Sequence, residues 1–400
     1  MTLFRIVLKS LRQHLLSTAV TALSLALAVG LLMTVWVVKE QSHATFTNVT
    51  AGFDAVLGAR GSKLQLVLNA IFHLEASPGN IRWSDYQFIK KNRAVQLAVP
   101  LAVGDNYRGY RLVGTETNLF NHAYDGARTY QVRPGGRIFE DGYKEAVVGS
   151  FAARRLGLKV GDKFNPYHGL IFDEEARHAD VYVVVGVLEP TNTPADRVIW
   201  IPIQGLQTMA GHDPKAATDV SAVLIKLRAP TAGFMLDQMY NKQGDKMTFA
   251  FPIGAVMSQL FDKIGWFDKV LEAVAYLVAL VAIGSILASI YNSMNERRRD
   301  IAIMRALGAR RATVFSAVVL EAGAIASLGV LIGFAFYTAI MSTAASVIRQ
   351  QTGVVLEPFV WHRVMLWAPL GMIALGALAG VVPAFKAYRT HVAEHLAPVS

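Results

Sequence analysis

Histidine and glutamate residues near the C-terminal end of the sequence have a spacing that could bind zinc. His391-Val-Ala-Glu394-His395 spells H-x-x-E-H, the inverted zinc-protease motif, and on a helix the two imidazoles would share one face. The surrounding sequence offers neither a third ligand nor a folded domain that could form a cleft. We therefore expect no zinc hydrolysis at this motif.

A glycine-rich basic stretch, Gly58-Ala-Arg-Gly61-Ser-Lys63, could cradle a phosphate. It lacks the Gly-Lys-Ser/Thr register of a P-loop, and G-x-x-x-x-G-K-[ST] occurs nowhere in the sequence. If ATP drives this protein, another chain must bind it. We interpret Gly52–Lys63 as a loop or helix break near the membrane, with contact to a substrate left open.

The sequence contains no cysteine, which excludes thiolate zinc sites and thiol nucleophiles. We expect no catalytic residue, no cofactor and no metal site in this chain. Glu321 stands apart because it lies inside a long apolar segment. A carboxylate in a membrane span is a functional-site hypothesis by default, and we favour a structural or coupling role over a proton relay.

Composition shows which elements must position these residues. Of 400 residues, 53% are hydrophobic and 17% are charged, and the mean hydropathy is +0.35. A helix needs roughly 20 apolar residues to cross a membrane. Segments without charges reach that length at Leu15–Val38, Ala273–Asn295, Ala322–Ile348 and Val364–Phe385. An integral membrane protein is therefore predicted, and a purely soluble enzyme is excluded.

The net charge of +10 is concentrated beside these apolar segments. Basic residues precede the first segment, dominate the loop between the second and third, and follow the fourth. Such short flanks stay cytoplasmic, so both termini are predicted inside and the long insert outside. This distribution indicates membrane lipid rather than nucleic acid as a partner. Residues 1–14 fit an amphipathic helix on the inner leaflet or a cytosolic extension of the first span.

The long insert has the pattern of an α+β domain. Short helices are predicted at Ser84–Lys91, Ala152–Leu158 and Gly233–Asn241, and its beginning, Gln41–Ile71, has helical spacing. Runs rich in Val, Ile and Tyr predict strands at Ala94–Val103, Gly109–Gly114, Glu145–Val148, Val181–Leu188, Val198–Ile201 and Ala222–Leu227.

The basic loop after the second span contains a short amphipathic pattern. Ile301, Met304 and Leu307 fall on one face of a helix, and Gly308 provides a stop. Such a helix can place its apolar face in a groove of a partner protein. The alternative is a basic flank that only sets topology.

This loop resembles the E-R-x-x-E-I-G-x-x-R-A-x-G-A signature of the MacB/FtsX-like family of ABC transporter permeases. The matching positions are Glu296, Arg297, Ile301, Arg305, Ala306, Gly308 and Ala309, whereas Asp300 replaces a Glu and Ala302 replaces a Gly. Other similar stretches occur in family order at Gly136–Phe139, Glu145–Gly149, Leu156–Asp162, Val183–Leu188, Ile199–Pro202 and Gly380–Ala387.

The resemblance implies a permease subunit, related also to LolC/LolE, that is not itself an enzyme. It implies four transmembrane helices with a large MacB-type α+β domain between spans 1 and 2. The expected layout is an N-terminal helix (1–14), span 1 (15–40), the extracytoplasmic domain (41–251), a stalk and span 2 (252–295), a coupling helix (296–311), span 3 (312–348), a loop (349–362), span 4 (363–386) and a tail (387–400).

The resemblance also implies partners and a mechanism. A separate ABC ATPase dimer would carry ATP and Mg²⁺, a second permease copy would complete a homodimer, and a periplasmic adaptor or acceptor protein could receive substrate. Coupling to the ATPase is expected at Glu296, Arg297, Asp300, Ile301, Met304, Arg305, Leu307 and Gly308. The ATP-driven motion would reach the exported domain by mechanotransmission.

Two functions follow from the resemblance. The first is export or extraction of an amphiphilic substrate, favoured by the large insert. The second is an FtsX-like signalling permease that activates an envelope enzyme and moves no substrate. In both, the expected location is the bacterial cytoplasmic (inner) membrane.

Overall fold

The computed structural model describes residues 3–209, 218–296, 298–306 and 308–389. The chain divides into two compact units. The first comprises Met1–Gln41, Ile264–Ser346 and Glu357–Ser400, and the second comprises Ser42–Lys263 and Val347–Leu356. The first is called the membrane unit and the second the exported domain.

Long apolar helices form the membrane unit. In the described part of the chain, four helices are long and apolar enough to cross a membrane. The helices that contribute to this unit are α1 (Leu3–Gln13), α2 (Leu15–Asn48), α8 (Ile253–Glu296), α9 (Arg298–Ala306), α10 (Arg311–Thr352) and α11 (Val364–Arg389). Helices α2, α8 and α10 each continue unbroken into residues assigned to the exported domain.

Glycines let the spans of the membrane unit approach closely. A Cβ atom at Gly329 of α10 would lie 2.8 Å from the Cβ of Leu25 on α2, and one at Gly380 of α11 would lie 2.5 Å from the Cβ of Ala322 on α10. These glycines of α10 and α11 therefore let neighbouring helices of the same chain pack closely, because small residues permit close approach of two backbones.

Polar contacts also join the spans of the membrane unit. The Lys39 ammonium of α2 lies 2.6 Å from the Glu272 carboxylate of α8, and Glu40 lies 2.8 Å from His362. Near the other end of α2, the hydroxyls of Ser17 and Ser289 are 2.8 Å apart.

A mixed sheet is the centre of the exported domain. In the described residues ten strands form it, in the order β12-β1-β11-β3-β4-β9-β5-β8-β6, with β7 paired to β3. The pairs β4/β9 and β5/β8 are parallel and the other pairs in the sheet are antiparallel. The strands of this sheet are β1 (Ala55–Ala59), β3 (Val95–Tyr107), β4 (Tyr110–Thr115), β5 (Glu145–Val148), β6 (Lys163–Phe164), β7 (Tyr167–His168), β8 (Tyr182–Val187), β9 (Ile199–Pro202), β11 (Ala222–Leu227) and β12 (Met247–Ala250).

Short helices cover this sheet and close its core. A separate strand pair is formed by β2 (Ile81–Arg82) and β10 (Asp219–Val220). The helices are α3 (Lys63–Ala70), α4 (Trp83–Lys90), α5 (Ser150–Leu156), α6 (Ile203–Gln207) and α7 (Pro230–Asp237). Tyr86, Tyr182 and Phe249 are fully buried in the core between them. Aromatic side chains bury about 150–250 Å² each, so these three contribute strongly to the hydrophobic core.

The predicted strands and the α+β character agree with these elements, but the interpretation of Gly52–Lys63 as a loop is wrong. Ala55–Ala59 is strand β1, which lies between β11 and β12. Its partner β12 was not predicted either. Glycine is uncommon inside strands, so Gly58 weakened the strand pattern in the sequence. The structure explains the glycine: a Cβ atom at position 58 would lie 2.4 Å from Leu66 Cδ1 of the covering helix.

Candidate functional site: the loop between the second and third spans

The predicted coupling loop consists of a short helix between two long ones. Helix α8 ends at Glu296, α9 occupies Arg298–Ala306, and α10 begins at Arg311. Gly308 has a φ of +97°, a left-handed conformation that glycine adopts without strain, and its N–H donates to the Arg305 carbonyl at 3.1 Å. Glycine is therefore required at the turn that separates α9 from α10.

Ile301 faces inward, contrary to the expectation that it fills a groove of a partner. Its side chain is only 7% exposed and packs with Val314 of α10 and Met294 of α8. Ala302 beside it is 2% exposed. Ile301, one residue of the predicted apolar face, thus holds α9 on its own membrane unit.

Other positions of α9 are more exposed than Ile301 and Ala302. Ile303 is 41% exposed, Ala306 is exposed, and Arg305 is half-buried. Glu296 is largely exposed, and its carboxylate lies 3.3 Å from the imidazole of His14. Arg297 and Leu307, as well as the side chains of Asp300 and Met304, lie outside the described residues.

Glu321 lies beside this loop in a mostly apolar cavity of about 100 Å³. The buried Ser10 hydroxyl of α1 donates a hydrogen bond to its carboxylate. The cavity is lined by residues of α1, α8, α9 and α10, among them Ile6, Ile290, Ile301 and Val318. The carboxylate therefore has a hydrogen-bonded place next to α9, which suits a structural or coupling role.

Sequence reasoning missed Ser10 and Ile303. Val7 and Ser10 are both buried and lie three residues apart, so a serine continuing an apolar stripe was the available signal for Ser10. Ile303 gave no signal, because helical spacing groups residues by face without indicating which face packs inward.

Cations near the loop also contact aromatic rings. The Lys386 ammonium of α11 lies 4.2 Å from the centroid of Tyr291 on α8, and the Arg311 guanidinium lies 5.6 Å from that of Tyr388. Cation–π contacts of this kind fix helix ends against one another. They keep the ends of α8, α10 and α11 together where α9 is attached.

The glycine-rich stretch Gly58–Lys63 of the exported domain does not form a phosphate cradle. The Gly61 N–H donates to Thr248 Oγ1 at 3.0 Å, the Arg60 guanidinium donates to the Met247 carbonyl, and Lys63 pairs with Asp237 at 2.5 Å. The donors that would bind a phosphate are thus occupied by the domain itself. The idea that this stretch contacts substrate has no structural support.

The motifs of the exported domain are packing sites. A Cβ at Gly149 would lie 2.4 Å from the Asp196 carbonyl oxygen, and one at Gly186 would lie 2.3 Å from that of Arg137. The Asp196 carboxylate accepts hydrogen bonds from the N–H groups of Thr191 and Asn192 at 3.0 and 2.9 Å. Close backbone contacts therefore require glycine at positions 149 and 186 of this fold.

The H-x-x-E-H motif at His391–His395 lies outside the described residues. It carries no structural interpretation here.

Comparison with known proteins gives matches over most of the chain. Residues 18–233 match the family described as MacB-like periplasmic core domain, and residues 272–392 match FtsX-like permease C-terminal. A curated relative, the macrolide export ATP-binding/permease protein MacB of Nitrobacter winogradskyi, is 22% identical over 222 residues. That alignment covers 54% of this chain and 34% of the relative, so the chain spans about a third of its length.

Solved structures of exported regions are also similar. The extracellular domain of the noncanonic ABC-type transporter YknZ from Gram-positive bacteria aligns with 49% of this chain and 99% of its own, with 17% identity and a TM-score of 0.30. The periplasmic region of MacB from Actinobacillus actinomycetemcomitans aligns with 54% of this chain and 94% of its own, with 11% identity and a TM-score of 0.35.

The two family matches confirm the predicted fold class, with apolar spans and an α+β domain inserted between the first two. They also confirm the family that the sequence motifs resemble. The chain belongs to the FtsX-like ABC transporter permeases that carry a MacB-like periplasmic core domain.

Proposed function

We propose that this chain is the permease subunit of an ABC transporter of the mechanotransmission type, bound to a separate ATPase dimer that carries ATP and Mg²⁺. The observation that carries the proposal is α9, a helix attached by Ile301 to its own membrane unit while Ile303 and Ala306 remain exposed. A helix that packs on the spans with one side and is exposed on the other can transmit a displacement from a bound partner to the spans.

The charge distribution supports the orientation in which α9 faces the cytoplasm. Arg305, Arg310 and Arg311 lie in or beside the loop, and Lys or Arg residues flanking short loops stay inside. The same rule supports a bacterial inner-membrane protein with the exported domain outside and both termini inside. A homodimer of permeases with an outer adaptor or acceptor completes the proposed assembly.

The proposed substrate class is amphiphilic, taken from or through the outer leaflet with the help of the exported domain. A signalling permease that activates an envelope enzyme is the alternative. Stimulation of ATP hydrolysis by an amphiphile supports transport, whereas stimulation only by a protein partner supports signalling.

The test is co-purification of the chain with its cognate ATPase in lipid, together with the rate of ATP hydrolysis. We expect Arg305→Glu and Ile303→Asp each to reduce association at least tenfold, because the first reverses a positive charge of α9 and the second places a negative charge on its exposed side. Arg363→Glu is the matched control, since Arg363 is an exposed cation on a different loop.

Ile301→Ala separates docking from folding in the same assay. Removing a buried isoleucine typically costs 2–5 kcal/mol of stability, so this variant should lower the unfolding temperature of the permease alone. Ile303→Asp should leave that temperature unchanged. If Arg305→Glu and Ile303→Asp bind and couple like the wild type, α9 is only a topological flank and the proposal fails.

A further inference from the structure

Two histidines and an aspartate come together in the exported domain, the unit that does not contain the coupling loop. Asp105 lies on β3, His168 lies opposite it on β7, and His178 follows the segment that returns beside β7. In the described residues, these three form a group whose ligand atoms all lie within 4.8 Å of one another. We propose that Asp105, His168 and His178 form a binding site for a divalent transition-metal ion, with zinc as the best fit.

The distances in this cluster suit metal ligation. His168 Nδ1 and His178 Nε2 each lie 3.3 Å from the same oxygen, Oδ1 of Asp105. Tetrahedral zinc with bonds of about 2.0–2.1 Å holds its ligand atoms about 3.3 Å apart. His178 Nε2 is also within hydrogen-bonding distance of Asp105 Oδ1, so the carboxylate orients this imidazole when no ion is bound. The 3.3 Å spacing of both nitrogens from this oxygen fits neighbouring zinc ligands.

Burial of the three side chains fits an open metal site. Asp105 is fully buried and the side chain of His178 is 5% exposed, whereas that of His168 is 60% exposed. Two ligands are thus held inside the domain while the third lies at the surface, where an ion can enter. Three protein ligands leave a fourth position for water or for a donor atom of another molecule.

Two asparagines hold the segments that carry the histidines. Asn106 donates to the carbonyls of Gly169 and Ile171, just after His168. Asn165 donates to the carbonyls of His178 and Asp180, and the His178 N–H donates to Pro166. These bonds fix the backbone on both sides of the cluster before an ion binds, which lowers the cost of arranging the ligands.

The donor set indicates the class of ion. Two imidazoles and one carboxylate suit Zn²⁺ and other first-row divalent ions, whereas Ca²⁺ and Mg²⁺ prefer oxygen ligands only. Two neutral imidazoles and one carboxylate would leave a net charge of +1 on the zinc site. A negatively charged donor from a ligand or partner could therefore occupy the fourth position.

The test measures Zn²⁺ binding to the full chain in detergent, after removal of metal with a chelator. The parent protein should carry His391→Ala and His395→Ala, so that the C-terminal histidines cannot contribute. We expect one tightly bound Zn²⁺ per chain by competition with a chromophoric chelator. X-ray absorption should show two imidazole ligands.

His168→Ala is the decisive variant, because an exposed side chain can be removed without disturbing the core. It should weaken Zn²⁺ binding at least tenfold and abolish the rise in unfolding temperature that Zn²⁺ gives the parent. Without metal, its unfolding temperature should equal that of the parent. His178→Ala should lose binding as well.

Glu174→Gln is the control, since Glu174 is an exposed acid on the same segment outside the cluster. It should bind Zn²⁺ like the parent. Stoichiometric binding that survives His168→Ala, loss of binding in Glu174→Gln, or a parent that binds no Zn²⁺ would each overturn the proposal. These outcomes are independent of whether the chain docks on an ATPase.

Discussion

Ile301 and Ile303 belong to the same short helix and have opposite environments. The buried Ile301 packs α9 against its neighbouring helices, whereas Ile303 is exposed. Two residues of one helical turn thus have different expected roles: Ile301 in folding and, under the proposed function, Ile303 in docking. Mutational data on this loop can be interpreted only if stability and association are measured separately.

His73 makes the free energy of unfolding of the exported domain depend on pH. Burial, with smaller contributions from the positive charges of Arg111 and Arg197, lowers the pKa of His73 to about 3. In the unfolded chain a histidine has a pKa of about 6.5. Between these values the unfolded chain binds a proton that the folded domain does not. The stability from a neutral His73 is therefore complete above pH 6.5 and is lost as the pH falls towards 3.

We expect His73→Gln to lose less stability than the wild type between pH 7.5 and pH 5. The wild type should lose at most about 1.4 kcal/mol more per pH unit from this one group. Urea unfolding of the exported domain within the full chain measures the difference. Equal losses in both proteins would show that His73 titrates normally.

Helix packing in the membrane unit is set by glycines at particular positions. Substitution of Gly329 adds a Cβ atom 2.8 Å from Leu25 and 2.9 Å from the Ala22 carbonyl oxygen. Gly371 lies in α11, where an added Cβ meets no atom within 4 Å. The two residues are both helical glycines in apolar spans, and they differ in what surrounds them.

We expect Gly329→Ala to destabilise the membrane unit by about 1–3 kcal/mol, the usual cost of overpacking. Gly371→Ala should be neutral or slightly stabilising, because alanine has the higher helix propensity. Thermal unfolding in detergent, followed by circular dichroism, compares the two. Equal unfolding temperatures would mean that α2 and α10 do not pack closely at Gly329.

At the level of elements, local patterns predicted what depends on local residues. Hydrophobic runs located α8, α10 and α11, and Val/Ile-rich runs located strands such as β5 and β11. Strands β1 and β12 were not predicted, because glycine and polar residues interrupt them and only their pairing in the folded sheet stabilises them. The cluster of Asp105, His168 and His178 was not predicted either, because strand register brings together residues that are distant in sequence.

At the level of the whole molecule, long helices run from the membrane unit into residues of the exported domain. Helix α8 runs without interruption through Lys263 and Ile264, where the exported domain ends and the membrane unit begins. A continuous helix transmits displacement, whereas a flexible insertion absorbs it. If the proposed mechanism holds, integrity of this helix is required for ATP to change the exported domain.

We expect a Gly-Gly-Ser-Gly insertion between Lys263 and Ile264 to abolish the ATP-induced distance change between spin labels at Glu174→Cys and Arg363→Cys. The sequence has no other cysteine, so labelling is specific. The same insertion after Gly142, an exposed turn residue, is the control and should preserve the change. A preserved change in both proteins would contradict transmission through α8.

The pairing of β1 with β12 makes the exported domain a separable module. Val56 of β1, the first strand along the chain, is the cross-strand partner of Ala250 of β12, the last strand. Paired residues of antiparallel strands have Cα atoms about 4.5–5.5 Å apart, so the chain enters and leaves the sheet at nearly one point. Such a module can be exchanged between permeases by recombination at two adjacent junctions. Under the proposed function, the exchange would change the substrate while the interface with the ATPase stays the same.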